Sequence, residues 1–249
     1  MPPIITPQTY VANRQNYSYQ DPNVEFSIHQ TGNLPYTGTF HGIFPRTIPH
    51  SHPNGVNLRK FEQICQTVFQ DAQLSYKNEE DGSLTHHQLD NIRAVILAIV
   101  HWKMASQGGR SAINVENVAG KWIPNRTPFI LLNAYKNRSL CQFKIDGVRI
   151  PTASAFLRFL DPDMFGIIDS RVVNNYTQPV GITTLNIRND GYINDVKHND
   201  ACYQIEYLPF LRSEAAFLNG NDKTFNDVDA NGLLVISHFR ACDVEMALF

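Results

Sequence analysis

The distribution of proline most constrains how this chain can fold. Eight of its fourteen prolines stand in the first 55 residues, which hold only four charged residues. Because proline fixes φ and has no backbone N–H, that density argues against a long helix or a central strand. The segment is also rich in tyrosine and phenylalanine, which is untypical of a free tail. We therefore predict that residues 1–55 form an extended arm, with a short hairpin around Thr37 to Phe44, packed on the main domain.

From residue 56 onward, apolar residues recur at helical spacing. The pattern predicts an amphipathic helix over Asn57–Gln73 and a second helix that Thr85 caps and that runs to about Ala105. The second helix contains the run Ala94–Val100 (AVILAIV), so we expect it to lie at the centre of the fold. Further helices are predicted over 115–122, 128–135, 151–160, 169–176, 201–218 and 242–249, and one small β-hairpin over 180–193. The predicted fold of residues 56–249 is therefore all-α.

Composition excludes several classes of protein. Apolar residues make up 43% and charged residues 18%, which argues against a disordered or fibrous chain. The longest apolar run is far shorter than the roughly 18 residues that cross a bilayer, and the first residues lack the basic start of a secretory signal. We expect a cytoplasmic protein with reduced thiols, because its cysteines have no short spacing (Cys65, Cys141, Cys202 and Cys242).

Charge is unevenly distributed along the chain. The formal net charge is -2, yet residues 117–160 hold seven basic residues and one acid, Asp146. Such a basic segment indicates a surface that binds an anion, although an ordinary solvated helix face is an open alternative. Its basic members are Lys121, Arg126, Lys136, Arg138, Lys144, Arg149 and Arg158.

The most informative segment is 145–172, IDGVRIPTASAFLRFLDPDMFGIIDSRV. Asp146, Gly147 and Val148 form a predicted tight turn after a helix, and Pro151 with Thr152 opens the next helix. A glycine turn followed by a helix start presents backbone N–H groups, which suit a phosphate.

This segment resembles the helix–hairpin–helix DNA glycosylase superfamily, and within it bacterial proteins described as 8-oxoguanine-DNA-glycosylase-like. The matching hairpin positions are Ile145, Gly147, Val148, Thr152, Ala153, Phe156 and Leu157, and Asp169 opens the following helix as the family aspartate does. The resemblance implies that the DNA backbone is held by Lys144, Gly147, Val148, Arg149, Ile150 and Thr152. It also implies that Asp169 stabilises an oxocarbenium-like transition state while a flipped base is removed by hydrolysis.

Two departures from the family pattern refine this expectation. Arg149 replaces the second hairpin glycine, where the family's turn would strain a side chain. Pro151 stands where bifunctional members carry a nucleophilic lysine, so the resemblance implies a monofunctional enzyme. It implies no iron–sulfur cluster and no other metal centre, and allows a monovalent cation at the hairpin turn. The expected partner is double-stranded DNA with a damaged, modified or mismatched base. The protein is expected to act as a monomer and not to associate with a membrane.

Other interpretations stay open at this point. Asp169 would also serve as a plain N-cap, and the chain would then be an inactive helix–hairpin–helix DNA-binding protein or a helical protein-interaction module. The stretch Asp227–Gly232 copies the opening of a calcium loop, but His238 stands at the twelfth position, which favours a polar turn. His86 and His87 lack partners at ligand spacing and are interpreted as solvated side chains.

Overall fold

The computed structural model describes residues 5–17, 24–44, 55–78, 84–104, 116–121, 127–140, 148–170, 172, 185–189, 193–194 and 197–248. Its elements in chain order are α1 (Pro7–Asn16), β1 (Glu25–Ile28), β2 (Gly38–Phe44), β3 (Gly55–Asn57), α2 (Leu58–Asn78), α3 (His86–Met104), α4 (Thr127–Asn137), α5 (Ile150–Leu160), α6 (Lys197–Cys202), a π-helical turn (Tyr203–Tyr207), α7 (Leu208–Gly220), β4 (Thr224–Val228), β5 (Leu234–His238) and α8 (Ala241–Leu248).

The described chain is a mixed α/β fold, mainly helical, so the all-α prediction is wrong. One sheet has the strand order β1-β2-β3, with β2 antiparallel to β1 and parallel to β3. The second sheet is the antiparallel hairpin of β4 and β5. None of the described helices is both long and apolar enough to cross a membrane.

The proline-rich N-terminal segment contains regular structure rather than only extended chain. Pro7 occupies the first turn of α1, where a missing N–H costs nothing, and the Thr6 hydroxyl caps the helix by accepting from the Thr9 N–H at 3.2 Å. Strand β2 lies in the middle of its sheet, and its sequence falls between Pro35 and Pro45. The prolines therefore flank these elements, and proline density alone was a poor guide to this segment.

The helix caps predicted at Asn57 and Thr85 are confirmed, whereas the helix predicted over 201–218 begins earlier, at Lys197, and is interrupted by the π-helical turn. The Asn57 side chain accepts from the Lys60 N–H at 2.8 Å. Thr85 and Gln88 form a reciprocal capping box, with Gln88 N to Thr85 Oγ1 at 3.3 Å and Thr85 N to Gln88 Oε1 at 3.0 Å. Helix α3 is central, as expected from its apolar run.

The β4–β5 hairpin was missed because its hydrophobic pattern is inverted. On β5, Leu234 and Ile236 are 84% and 74% exposed, so the apolar residues face away from the core. The calcium-like stretch forms the turn that connects these strands, in which the Asp229 carboxylate accepts from the N–H groups of Asn231 and Leu233. The predicted hairpin at 180–193 and the helix at 169–176 lie mostly outside the described residues; within them, Ile187 and Ile193 form one bridge.

Buried charged side chains join helices α2 and α5. Arg158 on α5 is fully buried, and its guanidinium lies 2.5 Å from Glu62 on α2. Glu62 also pairs with Arg240 at 2.9 Å and with Arg59 at 3.4 Å. Burial alone would lower the pKa of Arg158, but the charge of Glu62 raises it above its ordinary value. Arg158 therefore remains charged inside the protein.

A second carboxylate extends this network to the first helix. Asp243 on α8 pairs with Arg14 on α1 at 3.0 Å and with Arg240 at 2.8 Å, and Asp227 on β4 pairs with both Arg14 and Arg59. We call this group the ionic core; its members are Arg14, Arg59, Glu62, Arg158, Asp227, Arg240 and Asp243.

Replacing Arg158 should destabilise the fold strongly. Arg158→Met removes a fully buried partner of Glu62, and loss of one member of a buried pair typically costs about 3–5 kcal/mol. We expect a decrease of that size in the free energy of unfolding measured in urea. Arg149→Met is the matched control, because Arg149 precedes the same helix and is exposed, and it should change stability by less than about 0.5 kcal/mol. Equal stability of the two variants would contradict a structural role for the pair.

Candidate active site

Asp169 is a buried carboxylate at the edge of the core. It ends the loop 161–169 that follows α5, and its side chain is 11% exposed. Its carboxylate accepts from the Lys103 ammonium at 2.7 Å, at the last turn of α3. The C-terminal end of a helix favours a cation, so α3 supports the positive member of this pair. The result is an ion pair of one carboxylate and one amine, each with only 11% of its side chain exposed.

The backbone before Asp169 is held in place from two sides. The Tyr203 and Tyr207 hydroxyls donate to the carbonyl oxygens of Gly166 and Ile167 at 3.0 and 2.7 Å, and the Ile168 N–H donates to the Ser154 hydroxyl at 3.1 Å. Burial raises the pKa of both tyrosines, so their hydroxyls stay protonated and able to donate. Both tyrosines belong to the π-helical turn, a feature frequent at functional sites.

Gly166 allows this loop to lie directly on the last two helices. A Cβ at this position would stand 2.4 Å from the Leu211 Cδ1 atom and 3.0 Å from the Glu245 Cβ atom. A larger residue would require the Leu211 side chain to move and would press against Glu245. The close approach fixes the path of the loop and therefore the position of the Asp169 carboxylate.

Glu245 is a second carboxyl group in contact with this system. It is fully buried on α8, and burial raises its pKa to about 7, although Lys103 and Arg158 act to lower it and Asp169 to raise it further. A proton can therefore reside on Glu245 near neutral pH. Lys103, Asp169 and Glu245 therefore form a group of charged side chains that interact electrostatically at the end of the 161–169 loop.

The predicted hairpin residues are only partly at the surface. Arg149 is exposed, whereas the side chains of Val148, Ile150 and Thr152 are buried. The Thr152 N–H already donates to the Arg149 carbonyl at 2.9 Å, so a phosphate would have to contact the backbone before it. Gly147 and Lys144 lie outside the described residues. The φ of Arg149 is −105°, an ordinary extended value, so the expected strain at this position is absent.

The basic segment does not form one surface in full. Arg158 is buried in the ionic core, and Arg126 and Lys144 lie outside the described residues. The exposed members are Lys121, Lys136, Arg138 and Arg149. Counting charges along the sequence therefore overestimated the positive surface by at least one residue.

Lys103 is the site residue that sequence reasoning missed. We considered lysines within the basic segment, whereas Lys103 precedes it on the apolar helix α3. The available signal was a cation directly after Trp102, at the end of a helix whose second half is largely apolar. Such a residue needs a charged partner or a route to solvent.

A surface cleft elsewhere is a weaker candidate. Its charged lining includes Arg59, Glu62 and Arg240. These side chains are engaged with one another in the ionic core. Their charges therefore stabilise the fold, and the pair of Asp169 with Lys103 remains the better candidate for chemistry.

One more group brings three potential metal ligands together. His87, interpreted as solvated, lies beside Asp90 and His29, and their potential ligand atoms are within 4.8 Å of one another. His29 and His87 are 58 positions apart in the sequence, which explains why spacing along the sequence did not reveal this group.

Comparison with known proteins gives no relative: no protein-family model, curated protein or solved structure matches this chain. The likeness to helix–hairpin–helix glycosylases therefore stays a prediction from the residues.

The stability of the protein should depend on the protonation of Glu245. With a native pKa of about 7 against an ordinary 4.5, the folded state binds this proton more tightly, so the free energy of unfolding falls as pH rises through that window. The parent protein should lose free energy of unfolding between pH 5 and pH 8. In Glu245→Gln this loss should be smaller by up to about 3 kcal/mol. Urea denaturation at both pH values measures it.

The control is Glu116→Gln, which changes an exposed glutamate. This control variant should lose as much free energy of unfolding between pH 5 and pH 8 as the parent protein does. If the loss in Glu245→Gln is also unchanged, Glu245 is not the group that titrates.

Proposed function

We propose that this protein is a DNA glycosylase-like enzyme that removes a modified or mismatched base from double-stranded DNA by hydrolysis. The observation that carries the proposal is the Asp169 carboxylate, paired with Lys103 on a loop that buried hydrogen bonds hold in place. The proposal includes a monomer acting on chromosomal DNA in the cytoplasm. It rests on the resemblance of residues 145–172 together with this geometry.

Cleavage of an N-glycosidic bond needs a fixed negative charge beside the sugar. As the bond from C1′ to the base breaks, positive charge develops on the deoxyribose, and a carboxylate held beside it lowers the energy of that state. Water then adds to C1′, its proton passes to the carboxylate, and the departing base takes up a proton. Asp169 would stabilise the charge and accept the proton.

Lys103 would keep the carboxylate in position before the substrate arrives. A side chain held by an ion pair loses little freedom on binding, so less reorganisation is needed in the transition state. Arg149, exposed at the start of α5, and the backbone N–H groups there would contact the phosphates while the base is flipped out of the stack.

The first test compares Asp169→Asn with the parent protein. Asparagine keeps an oxygen for Lys103, so the variant should fold, but loss of the negative charge should reduce base excision by on the order of 10²-fold or more. The measurement is single-turnover base release from a panel of duplexes with one lesion each, with binding of the same duplexes followed in parallel. Asp163→Asn is the matched control, since Asp163 is an exposed aspartate of the same loop.

The outcomes separate the alternatives. Retained binding with lost excision in Asp169→Asn supports the proposal, while excision at the parental rate contradicts it. A parent protein that binds duplexes but excises nothing is an inactive DNA-binding protein. A parent that neither binds nor excises leaves the protein-interaction module as the interpretation.

The position of Lys103 favours a second candidate, a glycosylase with strand-cleaving activity. Its amine lies 2.7 Å from Asp169, so after passing a proton to that carboxylate it could attack C1′ and displace the base. Breaking the C1′–O4′ bond would then give a Schiff base, and loss of a C2′ proton would eliminate the 3′ phosphate. The proposed hydrolytic enzyme gives no covalent adduct in the presence of borohydride. An adduct that disappears in Lys103→Gln but persists in the control Lys136→Gln would instead establish the second candidate.

A further inference from the structure

Two histidines and an aspartate converge at the junction of the first sheet and helix α3. His29 directly follows β1, and His87 and Asp90 stand three residues apart in the first turns of α3. One ligand atom from each of the three residues lies within 4.8 Å of the other two. His29 and His87 are exposed and Asp90 is half-buried, so an ion from solvent can reach them.

Buried hydrogen bonds hold His29 in this place. Asn91 is 1% exposed, and its side-chain amide forms two hydrogen bonds with the backbone of His29. The His29 N–H donates to Asn91 Oδ1 at 2.7 Å, and Asn91 Nδ2 donates to the His29 carbonyl at 2.8 Å. Asn91 follows Asp90 in sequence. The same helix therefore carries two potential ligands and the residue that positions the third.

The loop after His29 is fixed by a second set of contacts. The Thr31 hydroxyl donates to Asp71 at 2.8 Å, and the Gln88 amide donates to the same carboxylate oxygen at 3.0 Å. Gln88 belongs to the capping box at the start of α3. These bonds restrict the motion of His29 relative to His87, so binding an ion would need only side-chain rotation.

The arrangement matches the geometry of a shared ion. Two imidazoles that bind one tetrahedral ion through nitrogens at about 2.0 Å hold their ring centroids roughly 5 Å apart. The centroids of His29 and His87 are 5.1 Å apart. We infer that His29, His87 and Asp90 bind a divalent transition-metal ion of the zinc class, with solvent in the remaining coordination position.

The donor set defines the class of metal. Two imidazole nitrogens and one carboxylate oxygen suit Zn²⁺ or Co²⁺, whereas Mg²⁺ and Ca²⁺ prefer oxygen ligands throughout. His86 lies 3.2 Å from the Asp90 carboxylate and can orient it by a hydrogen bond, as groups outside the ligand set of metal sites do.

A metal bound here would join the first sheet to the central helix. Because the three ligands come from two separate elements, the folded state binds the ion and the unfolded chain does so poorly. At a hundredfold excess of Zn²⁺ over its dissociation constant, mass action should raise Tm by roughly 5–10 °C. This inference is independent of any activity at Asp169.

The experiment titrates the full chain, freed of metal with chelator, with Zn²⁺ by calorimetry and with Co²⁺ by visible absorption. We expect one ion per chain at this site and a Co²⁺ spectrum of low-symmetry coordination by nitrogen and oxygen. His29→Ala and His87→Ala should each abolish that binding event and the rise in Tm, and Asp90→Asn should weaken binding at least about tenfold. Circular dichroism without metal checks that each variant is folded.

His238→Ala is the matched control, because it removes an exposed imidazole from β5. It should bind Zn²⁺ and Co²⁺ as the parent does. The inference is overturned if the parent binds no Zn²⁺ in the calorimeter, or if His29→Ala and His87→Ala keep the parental binding.

Discussion

The pairing of Arg158 with Glu62 places two charges where neither touches water, and the surrounding fold depends on keeping them together. Arg158 also lies over the ring of Phe159, with its guanidinium carbon 4.3 Å from the ring centroid, so an aromatic face adds to its stabilisation. Desolvation makes each charge unfavourable alone. The helices that carry the partners must therefore meet in one register, and the ionic core fixes how α1, α2, α5 and α8 pack.

The same constraint reaches the candidate active site through α8. Asp243 caps that helix by accepting from the Arg240 N–H at 3.1 Å, and the Cys242 N–H donates to the Pro162 carbonyl at 3.1 Å at the start of the loop. Glu245, three residues after Cys242 on the same helix, packs against Gly166. A loop held at its beginning and its middle leaves Asp169 little freedom, which is what a carboxylate acting on a developing charge requires.

The sequence predicted the local elements better than the tertiary contacts. Caps such as Asn57 and Thr85 depend on neighbours three residues away, so their chemistry is visible in sequence. Strand β5 was missed since its exposed leucine and isoleucine reverse the usual pattern, and α1 was missed because proline is harmless at a first turn. Lys103 beside Asp169, and His29 beside His87, depend on chain segments far apart in sequence. Only their packing brings them together, and no short motif records it.

The ionic core also sets an order of events during synthesis on the ribosome. Arg14 and its partner Asp243 are 229 residues apart, so the arginine leaves the exit tunnel long before its carboxylate exists. The first sheet and helix α3, which packs against β1, come from the first 104 residues and can form before the C-terminal part of the chain is made. Helix α1 gains its carboxylate partners only when β4 and then α8 have been synthesised. Until those carboxylates are present the arginine must stay hydrated, so α1 can be fully buried only after both partners have been made.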